Sequence, residues 1–131
     1  MLGIWSAHTP VFLVLLAIGT LATLGLPMWV SPLGWARVLG WWIPEDTRLA
    51  TYFGRCLASV ICMLCWGALR AATHPAEAPL FFDLLTGSSA LMIGIHLHGA
   101  VRRVQPRAET HETLASAALL FATVVFRPAL G

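Results

Sequence analysis

Four apolar runs separated by short polar interruptions organise the chain. The first covers about 10–30 and is opened by Pro10 at a position where a helix tolerates proline. It ends near Pro27, with Trp5 and Trp29 placed as interfacial anchors. The second covers about 49–72, passing through Tyr52, Cys65 and Trp66, and His74-Pro75 with Pro79 close it. The third covers about 79–101 and is stopped by Arg102-Arg103 and Gln105-Pro106-Arg107. The fourth covers about 111–127. Only 113–126 is continuously uncharged, short against the roughly 20 residues a span needs, so His111, Glu112, Arg127 and Pro128 are read as its interfacial flanks. The pattern predicts an all-α, integral membrane four-helix bundle forming one domain over 1–131, with no internal repeat and no linker.

The connection 31–48 is the longest and the richest in Trp. Trp35, Val38, Leu39 and Trp42 recur at helical spacing, with Arg37 and Trp41 on another side, which predicts a short helix lying in the interface. Its plain role is anchoring, since Trp favours that depth. A partner-binding platform is the sharper reading, with Trp35, Trp41 and Trp42 as interface candidates.

Composition changes the picture from helical to membrane-embedded. Of 131 residues, 58% are hydrophobic and 11% charged, whereas a soluble domain carries about 25% charged residues. The length holds three or four spans and no separate catalytic domain. All eight basic residues are Arg against six acids, a formal charge of +2 that is too slight and dispersed for nucleic acid. Residues 1–10 contain no Lys or Arg, so the first run reads as a retained span rather than a signal. Arg37, Arg48, Arg102, Arg103 and Arg107 fall on one side of a four-span layout, with Arg70 and Arg127 on the other. The positive-inside rule then places the first and third loops in the cytoplasm and both termini outside, in a bacterial inner membrane.

Cys56, Cys62 and Cys65 lie in one apolar stretch. Zinc needs four ligands, and a redox pair needs solvent access and a lowered thiol pKa. Packing as small hydrophobes is the preferred reading.

Ionisable groups at membrane depth default to functional hypotheses. The candidates are Arg55, Asp83, His96 and His98. Arg70 and Asp83 flank the short second turn and are expected to form a structural ion pair. Arg55 sits among Gly54, Ala58, Ser59 and Cys62, where it either snorkels or holds an anionic headgroup or polar ligand end. His96 and His98 point about 200° apart on a helix and cannot clasp one metal, so no metal is assigned. Ala90, Gly94 and His98 follow at four-residue intervals, leaving clearance for a tetrapyrrole on His98, whereas Met92 precedes His96. The same spacing, with Gly87 and Gly94, also serves tight helix packing, which is the preferred reading. Glu109-Thr110-His111-Glu112 reads as a helix start with acids in its first turn. The chain has no GxSxG, Walker, HExxH or GxGxxG sequence and no nucleophile with an evident base.

The layout resembles small bacterial four-helix membrane proteins of the DoxX-like type, on the four spans, Pro44-Glu45 before Gly54-Arg55, the His74-Pro75 break, and a third helix ending in His98 and basic residues. Some members of that group are accessory subunits of quinone-linked oxidoreductases, and the resemblance implies no catalytic residue here. The expectation is a non-enzymatic accessory or structural subunit of a larger membrane complex, respiratory or photosynthetic. Its partners are the bilayer and other membrane subunits, and it needs no cofactor of its own. The alternative is a binder of quinone, lipid or tetrapyrrole that uses Arg55, His96 or His98.

Overall fold

The computed structural model describes residues 3–128, which are helical throughout apart from turns and short connections. Five helices follow in order: α1 (Ser6–Val30), α2 (Pro32–Val38), α3 (Arg48–Thr73), α4 (Ala78–Arg102) and α5 (Arg107–Phe126). Three helices are long and apolar enough to cross a membrane: α1, α3, and α4 together with its leading turn Pro75–Glu77. The fourth expected span is a full helix, but Arg107, Glu109, His111 and Glu112 occupy its first two turns and lower its apolarity. Among the described residues, three helices therefore carry the signature of a membrane span.

Local chemistry explains where each helix starts and stops. The Asp46 carboxylate accepts the Arg48 backbone N–H (3.0 Å) and its guanidinium (2.8 Å) at the start of α3. Those bonds hold the Asp46 carboxyl below the usual carboxylate range. α3 stops at His74 (φ −124°, ψ 86°), because the residue before a proline is driven out of the helical region. α4 closes with Arg103 in the left-handed region (φ 55°), which lets the Arg103 and Val104 N–H groups turn back onto Ala100 O and Gly99 O, both at 3.1 Å.

Inside α1 the ladder widens into a π-turn over Leu21–Gly25, just before Pro27. Pro27 has no N–H to give the Thr23 carbonyl one turn earlier. The Trp35 indole N–H donates to that carbonyl instead, at 3.2 Å, tying α2 back onto α1.

The long helices form two antiparallel pairs. α1 and α3 approach closely where Gly25 faces Cys62 and Ile61, and a Cβ on Gly54 would come within 2.6 Å of the Pro32 ring. α4 and α5 are held in register by Thr86 Oγ1 donating to Thr123 Oγ1 (3.2 Å) and by Arg127 paired with Asp83 (2.6 Å). The pairs join at the end where the start of α1 meets the end of α5. There Leu13, Ala17, Cys65, Ala68, Ala71, Ala78, Phe81 and Phe82 form the buried core, and Phe12 stacks on Phe126 with ring centroids 4.5 Å apart. Cys65 is thus core, Cys62 is half-buried and Cys56 is exposed, all as free thiols.

The expected Arg70–Asp83 pair does not form. Arg70 pairs with Glu77, in the turn directly after α3, and Asp83 pairs with Arg127 from the end of α5. Sequence depth put Asp83 level with Arg70, but the turn offers a nearer carboxylate, and the antiparallel return of α5 brings its own cation to Asp83.

Candidate functional site

At the opposite end of the molecule, the turn between α4 and α5 gathers polar groups around His96, which is 2% exposed. His96 Nδ1 lies 2.9 Å from the Glu109 carbonyl. A carbonyl only accepts, so Nδ1 carries the hydrogen, and in the neutral ring Nε2 presents its lone pair. Nε2 faces the Glu109 carboxylate with Oε2 at 4.0 Å, beyond hydrogen-bonding distance. Glu112 follows Glu109 by three residues on the same face of α5. One atom from each of His96, Glu109 and Glu112 lies within 4.8 Å of the others. These residues offer one imidazole nitrogen and two carboxylates, a donor set suited to a cation.

Neighbours hold this arrangement. Glu109 Oε1 accepts the Trp41 indole N–H at 2.7 Å, which brings the first loop onto α5. Gln105 Nε2 donates to the His96 carbonyl (2.9 Å) and to Thr110 Oγ1 (3.2 Å), bracing the turn. Its side chain lies flat on α4 because position 99 is glycine, since a Cβ there would collide with the Gln105 carboxamide. Gly99→Ala should therefore displace the Gln105 carboxamide from its two bonds and cost about 1 kcal/mol. In a Gln105→Ala background the same change should cost much less. Thermal unfolding of the four proteins in detergent measures both, and equal costs in the two backgrounds would show that Gln105 is not the obstacle.

The remaining candidates separate. His98 is exposed, on the opposite side of α4 from buried His96. Gly87, Ala90 and Gly94 are exposed as well, and a Cβ added at Gly87 or Gly94 meets nothing within 4 Å. Arg55 is exposed and lies in no ion pair among the described residues, and Ser59 donates to its carbonyl at 2.9 Å. The indole N–H groups of Trp35 and Trp41 bond within the chain, while Trp42 is 81% exposed. The structure does not bring Arg55, His96 and His98 into one site.

Glu109 and Glu112, which the sequence presents as acids in the first turn of a helix, are the members of the cluster that His96 alone does not reveal. Their three-residue spacing on one helix face is the signal for them. The chain matches no protein-family model, no curated protein and no solved structure.

Proposed function

We propose that the protein is a non-enzymatic, four-span accessory or structural subunit of a larger complex in a bacterial inner membrane, respiratory or photosynthetic, and that it docks through the open face of α4. In this reading α5 is the fourth span, the first and third loops face the cytoplasm and both termini face outward, as the arginine distribution favours. The DoxX-like resemblance belongs to the same proposal, through its shared four-helix layout.

The observation that carries the reading is the strip Gly87, Ala90 and Gly94. Small residues at this spacing let a second helix approach closely in lipid, where association depends on packing rather than on the hydrophobic effect. Among the described residues no helix covers the strip: these positions are exposed, and a Cβ added at either glycine meets nothing within 4 Å. Gentle extraction followed by native-mass separation tests the proposal. Wild type is expected to migrate with partner subunits, and Gly94→Leu as a folded monomer. A wild-type protein that is monomeric under gentle extraction would overturn it.

A second reading is favoured by His98 on the same strip, where the clear surface at Gly94 leaves room for a flat ring. In that case the purified protein carries a tetrapyrrole absorption band that disappears in His98→Ala.

A further inference from the structure

We propose that His96, Glu109 and Glu112 form a binding site for one divalent first-row transition cation, seated where α4, α5 and the first loop meet. An imidazole nitrogen with two carboxylates is the donor mixture that suits such ions, whereas magnesium and calcium favour oxygen alone. The donor atoms stand within 4.8 Å of one another. Around an ion bound at about 2.0–2.2 Å they would stand roughly 3.3 Å apart, a closure that rotation of the two glutamate side chains supplies.

The imidazole is the most buried member of the cluster. The His96 side chain is 3% exposed, and its Nε2 is aimed at the carboxylates without a hydrogen bond. Its other nitrogen is committed to the Glu109 carbonyl, the outer contact that fixes the tautomer and orientation of metal-binding histidines. Trp41 orients the Glu109 carboxylate in the same manner. No arginine among the described residues pairs with either glutamate, so His96 is the basic side chain that faces the two carboxylates. A cation seated between them would take the Nε2 lone pair and one oxygen of each carboxylate as ligands.

Glu112 also lines a largely apolar groove along α1 and α2, between Leu24, Val30, Trp35 and Leu39.

Zinc titration of the whole protein in detergent, followed by calorimetry and thermal unfolding, provides the test. Wild type is expected to bind one Zn²⁺ saturably, with magnesium in large excess failing to compete, and its unfolding temperature should rise with Zn²⁺ by mass action. Glu112→Gln keeps the side-chain shape and removes a ligand charge. It should weaken Zn²⁺ binding at least tenfold, since even outer-shell changes cost 10–100-fold. Without zinc the same variant should be as stable as wild type or more so, because a like-charge contact is relieved. Absence of saturable Zn²⁺ binding would mean that the cluster holds only a proton, and the proposal would fall. Binding undiminished in Glu112→Gln would place the ion elsewhere and overturn it equally.

Discussion

Phe82→Ala should lower the stability of the protein by about 3–5 kcal/mol, the largest effect expected of any single side-chain truncation here. Phe82 is fully buried, and its ring lies 6.2 Å from that of Phe12 on α1. It belongs to the cluster through which the α1–α3 pair meets the α4–α5 pair. Much of the rest of that cluster is alanine, whose small side chains allow close approach and contribute little contact of their own. Lipid removes the usual hydrophobic gain between spans, so the joint depends on dispersion contacts and shape. Emptying the Phe82 site forfeits these, and the two pairs should part at this end. Leu91→Ala is the matched control in the isolated protein, because Leu91 is 70% exposed on the open face of α4, away from this cluster. Denaturant or SDS unfolding should give a large loss for Phe82→Ala, a small one for Phe82→Leu and none for Leu91→Ala. Equal behaviour of the two alanine variants would remove the cluster as the joint.

The same pair of helices shows what a single sequence can and cannot carry. Spans α1, α3 and the helix containing α4 announce themselves because apolar runs long enough to cross lipid are bounded by proline or arginine, and both signals are local. The pairing of Arg70 with Glu77 is local too, yet depth in the membrane favours Asp83 equally, and only the path of the turn puts Glu77 nearer. The His96–Glu109–Glu112 cluster is different in kind. His96 lies 13 residues from Glu109, and their meeting depends on the register with which α5 folds back along α4. That register rests on the Gln105 brace, the left-handed Arg103 and the absence of a side chain at Gly99. None of these has a periodic signature. A two-residue offset between His96 and His98 could be read as opposite directions on a helix, but which of the two turned toward a neighbour required the neighbour's placement.

Trp35→Phe should cost about 0.5–1.5 kcal/mol, the net worth of one hydrogen bond, and the loss should depend on Pro27. The indole N–H of Trp35 donates to the Thr23 carbonyl at 3.2 Å. In an uninterrupted helix that carbonyl would accept the N–H four residues on, but residue 27 is proline and has none. A carbonyl freed in this way is open to another donor, and the Trp35 indole is the one that reaches it. Phenylalanine retains the ring and most of its packing while removing the donor. Pro27→Ala restores the missing N–H, so Trp35→Phe should be nearly neutral in that background, giving a coupling between the two positions close to the full cost of the single change. Isotope-edited infrared spectroscopy of a labelled Thr23 carbonyl reads the bond directly. Its amide band should move toward the free-carbonyl position in Trp35→Phe and return in the double variant. If Trp35→Phe costs the same with and without Pro27, the indole acts only by packing, and the contact of α2 with α1 would then owe nothing to the proline-freed carbonyl.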